Sequence, residues 1–190
     1  MLKSILICAV VVTVAVTLVW AQPPAKKAPL SPPAETSVTI AGKALSIKYS
    51  APSVRGRQIF GEGGLVSKDS TYPVWRAGAN AATAFHTEAD LEIQGLAVPK
   101  GDYTVFVRPG PLEWELIISK QTGPQAATYN PKMDLGRVPM DMKKAGAPIE
   151  NLKITLAAVG SVAGKLELAW ETTIASVPFN LDAVKANREW

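Results

Sequence analysis

From Ser37 onward, apolar and polar residues alternate with a period of two. Val38 and Ile40, then Leu45, Ile47 and Tyr49, are spaced by Thr39, Ser46 and Lys48, as in strands that bury one face and solvate the other. The Ala41-Gly42-Lys43-Ala44 break between them reads as a hairpin turn. The same signature recurs at Ala84 to Thr87, Leu91 to Ile93, Tyr103 to Val107, Trp114 to Ser119, Val138 to Met142, Leu152 to Ala157, Lys165 to Thr172 and Ile174 to Phe179. In Leu166-Glu167-Leu168-Ala169-Trp170-Glu171 the apolar side chains share one face and the glutamates the other. Turn formers separate the runs: Gly95, Pro99 to Asp102, Pro109-Gly110-Pro111, Thr122-Gly123-Pro124, Asn130-Pro131, Gly146 to Pro148 and Gly160 to Gly164. About ten short strands with no long segment of helical period predict an all-β fold, an antiparallel β-sandwich that is jelly-roll-like or an open barrel. The one place for a short helix is the C-terminal tail, residues 180–190, where Asn180 could cap Leu181 to Asn187.

Two N-terminal segments depart from the alternation. Met1 to Ala21 has Lys3 ahead of a nearly continuous apolar run, and small residues Val19 and Ala21 at the expected cleavage positions. It reads as a signal peptide that sends the rest to the periplasm or outside the cell. If uncleaved it would serve as a membrane anchor, the sole membrane contact expected. Residues 22–36 are rich in Pro, Ala and Lys and lack periodicity, which predicts an extended linker ahead of a domain spanning 37–179. Cys8 is the only cysteine and lies inside the signal, so the exported part has no disulfide, thiolate metal site or cysteine nucleophile.

Charge narrows the partners. The 190-residue chain carries a formal net charge of +4, and its close basic pairs (Lys26-Lys27, Arg55/Arg57, Lys143-Lys144) have no aromatic residues interleaved. Nucleic-acid binding is therefore not expected. The remaining length suits one domain with its own core.

Two polar runs interrupt the strands and hold the candidate site. One is Ser50 to Gly61, containing Arg55 and Arg57; the other is Pro73-Val74-Trp75-Arg76-Ala77-Gly78-Ala79-Asn80-Ala81-Ala82-Thr83. The composition of the second predicts a tight turn from which the Arg76 guanidinium reaches a loop carboxylate, a backbone carbonyl or a ligand. If the runs fold together, Arg55, Arg57, Trp75, Arg76, Asn80 and Thr83 form a small concave face for an anionic or hydroxyl-rich ligand. The alternative reading makes Arg76 and Asn80 tethers of the loop, with Trp75 as a plug of the core.

Other chemistry has less behind it. His86 is the only histidine, and Glu88, Asp90 and Glu92 alternate after it; the run reads as a solvated edge or turn rather than a metal site. No G-x-S-x-G stretch offers His86 a serine nucleophile. Glu62, Asp69 and Asp102 are loop carboxylates, and whether any two converge as glycosidases require depends on the fold. Trp75, Trp114 and Trp170 fall at inward positions and read as core, which leaves Trp190 as an exposed indole.

The order Tyr49-Ser50-x-Pro52-Ser53-Val54-Arg55-Gly56-Arg57-x-Ile59-Phe60-Gly61, Val74-Trp75-Arg76-x-Gly78-Ala79-Asn80-x-Ala82-Thr83, Val98-Pro99-x-Gly101-x-Tyr103, Arg137-Val138-Pro139 and Trp170-x-Thr172-x-x-x-Ser176-Val177-Pro178 resembles the bacterial domain family DUF2911, over roughly Leu30 to Phe179. The resemblance implies a secreted or periplasmic β-rich domain and no stated activity. Ser67 to Tyr72 is longer and more polar than the family pattern, and Gln121 to Asn130 lacks the aromatic and glycine expected after the Lys-x-Thr-Gly turn.

Together these features favour an exported, non-catalytic module that binds a small ligand or an envelope protein, without cofactor or metal. An extracytoplasmic glycan hydrolase and a purely structural envelope protein are the alternatives.

Overall fold

The computed structural model describes residues 29–181. The expected signal segment, the start of the linker, and residues 182–190 with Trp190 lie outside them; Asn180 and Leu181, expected to cap and begin a short helix, instead pair with β4 as the end of β9, because their backbone finds ladder partners in Glu92 and Leu91. Among the described residues the protein is all-β: nine strands form one antiparallel sheet in the order β1-β2-β3-β6-β7-β8-β9-β4-β5, and the helical pieces are short 3-10 turns. The strands are β1 (Pro33–Ile40), β2 (Lys43–Ser50), β3 (Thr83–Thr87), β4 (Leu91–Ile93), β5 (Leu96–Val98), β6 (Gly101–Arg108), β7 (Trp114–Ser119), β8 (Asp134–Ala158) and β9 (Ala163–Leu181).

The expected first hairpin is present, with its turn narrowed to Ala41 and Gly42, both at positive φ, as a two-residue turn matched to strand twist requires. β1 begins at Pro33, inside the segment expected to be linker. Prolines suit the start of an edge strand, where a missing N–H removes no ladder bond, and Pro33 pairs with Ser50 at the open end of the hairpin. β5 was not foreseen; the Gln94-Gly95 turn, again at positive φ, folds it back on β4.

The expected count of ten short strands resolves into fewer and longer ones. Val138 to Met142 and Leu152 to Ala157 are two parts of β8, and Lys165 to Thr172 and Ile174 to Phe179 two parts of β9. Gly146 to Pro148, expected to be a turn, stays extended while its ladder lapses: the β8–β9 register shifts between Lys144 and Ile149, and again before Lys153. Pro148 cannot donate to a ladder, and Glu171, across from Ile149, sits at φ 55. Such irregularities bend long strands. The first part of β8 pairs with β7, while its far part reaches the other end of the sheet. There the Leu156 N–H donates to Thr36 Oγ1 (3.1 Å) and the Ile154 N–H to Tyr49 Oη (3.0 Å). The sheet thus curls back toward its own beginning around a shared core.

That core takes the inward residues of the alternating runs, among them Leu45, Ile47, Val105, Leu116, Leu168 and Val177. Trp75, Trp114 and Trp170 are all buried in it, as their positions predicted. Phe60 meets the three indoles edge-on at centroid distances of 6.2, 4.8 and 5.8 Å, and Trp75 stacks on Trp170 at 5.7 Å. Each such pair contributes about 0.5–1.5 kcal/mol beyond area burial. This aromatic knot anchors the long β2–β3 connection, residues 51–82, to the sheet. A smaller cluster of Val74, Phe106 and Ile117 forms on the opposite face under Tyr129, so residues 103–107 of β6 are buried on both faces.

Candidate functional site

The β2–β3 connection is tied down at both ends before any polar group is placed. The Trp75 backbone exchanges two hydrogen bonds with Val107 (2.7 and 2.8 Å), and its indole N–H donates to the Gly78 carbonyl (3.0 Å). Gly78 is required there: a Cβ would stand 3.0 Å from Thr83 Oγ1 and 3.2 Å from the Ser50 carbonyl. Ala77 and Asn80 flank it at φ 51 and 60, a conformation Asn tolerates better than most residues. Thr83 is fully buried and donates to the Ala77 carbonyl (3.1 Å).

This backbone aims Arg76 at the loop before it. Nη2 donates to Asp69 Oδ1 (3.2 Å) and Nη1 to the Asn80 carbonyl (3.1 Å), so the guanidinium reaches both a loop carboxylate and a backbone carbonyl. Only 16% of the Arg76 side chain and 18% of Asp69 are exposed. Asp69 Oδ1 also accepts from Thr71 N (3.0 Å) and Thr71 Oγ1 (2.7 Å), closing the turn that follows Val66–Lys68. Burial by itself would raise the Asp69 pKa. The Thr71 bonds, together with the bond and charge of Arg76, outweigh it and hold the carboxyl below its ordinary value. Arg76 Nε is buried and makes no hydrogen bond, in contrast to the great majority of buried N–H groups.

Arg76, Asp69 and Asn80 line a cavity of about 320 Å³, walled by Pro52, Leu65, Val66, Trp75 and Trp170 with Lys68 at its exposed rim. Of the residues singled out in the sequence, Trp75, Arg76 and Asn80 meet here. Asn80 is exposed, and its amide makes only a long 3.5 Å contact to the Ser31 carbonyl. Thr83 lies beneath, holding the turn. Arg55 and Arg57 do not line the cavity; they close their own loop. Arg57 donates to the carbonyls of Val54 (3.0 Å) and Ser53, and Arg55 Nη2 to Leu30 (3.2 Å). The Arg55 backbone N–H donates to Glu150 Oε1 on β8 (2.9 Å). Asp69 is the partner that sequence reasoning left without a role; its one local signal was the Asp-x-Thr spacing of a side-chain-closed turn.

His86 lies on interior strand β3, between Ser46 of β2 and Asp102 of β6, and Glu88 to Asp90 form the turn from β3 to β4. Its Nδ1 lies 2.8 Å from Asp102 Oδ1, with 47% and 73% of the two side chains exposed. A carboxylate only accepts, so Nδ1 carries the proton. Ser46 lines the same outer-face cavity of about 730 Å³, yet no hydrogen bond joins it to His86 among the described residues, and the three do not form a relay. Glu88, Asp90 and Glu92 each accept from a backbone N–H, of Ala44, Lys100 and Gly95 respectively. No group of three or more His, Cys, Asp or Glu residues with metal-holding geometry occurs among the described residues. A third cavity, of about 750 Å³, runs past Phe60, Glu62, Tyr72 and Trp114.

Fold and site together define an all-β, single-sheet domain with a mostly apolar cavity that carries a few polar groups, built by one long connection against Trp170 of β9. The chain belongs to the DUF2911 family, described as a protein of unknown function, whose pattern matches residues 31–179. No curated protein and no solved structure matches the chain.

Proposed function

We propose that this protein is an exported, non-catalytic module that binds a small ligand in the cavity at Arg76, Asp69 and Asn80. The observation that carries this reading is the Arg76 guanidinium: it lines a cavity, and its two bonds, one on each Nη, leave further Nη–H donors without an acceptor among the described residues. A purely structural tether would engage those donors within the protein. Glycan hydrolysis has less support. The cavities at Arg76, His86 and Phe60 each carry one carboxylate, Asp69, Asp102 and Glu62; the one at Arg108 carries two, Glu113 and Glu115, but Glu115 is already held by Arg108 (3.1 Å) and Arg137 (3.9 Å), whereas the usual mechanism works between two carboxylates that both act on the substrate.

The test uses Asn80→Gly, which keeps the left-handed backbone and removes the rim amide, beside Arg76→Lys. Saturation-transfer NMR against a mixture of small sugars and organic acids reads binding; thermal melting reads folding. The expected result is a bound component in the wild type that both variants lose while still melting cooperatively. Variants that only lower the melting temperature, with binding unchanged or never present, would refute the reading.

A further inference from the structure

The polar groups of the Arg76 cavity select among ligands by what each can still donate or accept. A guanidinium has five N–H donors; the bonds to Asp69 and the Asn80 carbonyl take one on each Nη and leave the other Nη–H donors unused, while Nε is buried. On Asp69 all three hydrogen bonds fall on Oδ1, so Oδ2 retains its capacity to accept. The cavity therefore sets a donor and an acceptor side by side, already paired with one another and close to charge balance. Lys68 adds a charge only at the exposed rim, where water screens it.

An anion such as acetate can accept from Arg76 but cannot donate to Asp69; phosphate keeps a proton it could donate, yet like acetate it would face a carboxylate that stays ionised. A cation meets the reverse conflict. A hydroxyl accepts and donates at once, and adjacent hydroxyls can bridge the two side chains. The volume of about 320 Å³ is at the lower end of small-molecule pockets, about 300–1,000 Å³, which suits one ring and not a chain of them. Asn80 at the rim adds an amide able to serve in either sense.

On the reading that this cavity holds a ligand, we propose that the ligand is neutral and polyhydroxylated: a single sugar ring or polyol whose hydroxyls accept from Arg76 and donate to Asp69. The ring comes either from a free sugar or from the end of a glycan, and both sources present the same groups.

The experiment titrates isotopically labelled protein with glucose, N-acetylglucosamine, glycerol, acetate and phosphate. It follows the indole N–H resonances of Trp75 and Trp170, which wall the cavity. The proposal expects a saturable shift of the Trp75 resonance with at least one sugar or polyol and none with acetate or phosphate. Asp69→Asn should weaken that binding about tenfold or more, the scale of a hydrogen bond to a charged group, and should admit acetate or phosphate because Arg76 loses its counter-charge. Chitotriose binding more tightly than N-acetylglucosamine assigns the end of a glycan, and weaker binding assigns the free sugar. Acetate or phosphate binding in place of sugars overturns this inference and leaves the cavity standing as a ligand seat. Silence with every probe overturns both.

Discussion

Arg76–Asp69 is an ion pair and His86–Asp102 a hydrogen-bonded contact that becomes one only with a protonated imidazole, and the second is the shorter: 2.8 Å against 3.2 Å. Distance nevertheless ranks them wrongly. Arg76 and Asp69 are more than four-fifths covered, under a loop that Trp75 nails to the core, whereas about half of His86 and most of Asp102 face solvent. Water and salt screen the exposed pair, so its worth is about 0–1 kcal/mol. For the covered pair, removing one partner strands the other away from water. The pair that joins Arg76 of the family motif to Asp69 of the preceding loop shapes the site; the closer pair decorates the outer face of the sheet.

The largest effect should come from Arg76→Ala, which strands Asp69 and frees the Asn80 carbonyl. A loss of about 2–4 kcal/mol in urea denaturation is expected, the lower part of the range for a broken buried pair because the site is not wholly closed. A loss under about 1 kcal/mol would place this pair in the same class as His86–Asp102.

A second prediction concerns acid. Because Asp69 has a folded-state pKa below its unfolded one, its contribution is present above the unfolded value of about 3.9 and fades as pH falls through the folded value. Asp69→Asn should remove that part of the acid-induced loss of stability below about pH 4, read from melting temperature against pH. An unchanged acid limb would contradict the assignment.

The smallest effect is expected of His86→Ala or Asp102→Ala: within about 1 kcal/mol of wild type, shrinking further in high salt. A larger loss, resistant to salt, would mean that the outer-face pair is more than a surface contact.

Local pattern carried much of the architecture. Alternation located the segments of the nine strands except β5, and the inward positions of Trp114 and Trp170 were legible because a strand's period assigns faces without knowledge of the partner, whereas Trp75 lies in the β2–β3 connection. It did not show which segments join. Val138 to Met142 and Leu152 to Ala157 look like separate strands because Gly146 to Pro148 bears every local mark of a turn, and only the distant partner β9 keeps the chain extended through it. Pro33 to Thr36 looked like linker for a similar reason, since pairing with β2 rather than propensity makes it a strand.

The site divided in the same way. Trp75, Arg76 and Asn80 announced themselves by composition and do meet in one cavity, but Asp69, which gives the guanidinium its counter-charge, lies in a loop whose polar residues are locally unremarked. Arg55 and Arg57 look like ligand-binding groups in one dimension because a guanidinium's partners are not written beside it; folded, they are spent on the carbonyls of Leu30, Ser53 and Val54.

By itself the sequence determined the all-β class, the strand segments and the faces they bury, because these follow from side-chain spacing over a few residues. The joining of half-strands across bulges, the curling of the sheet and the choice of Asp69 over other carboxylates as the partner of Arg76 were decided only in the tertiary structure. Each of these depends on which distant backbone N–H, carbonyl or charge is within bonding distance, and no local spacing encodes that.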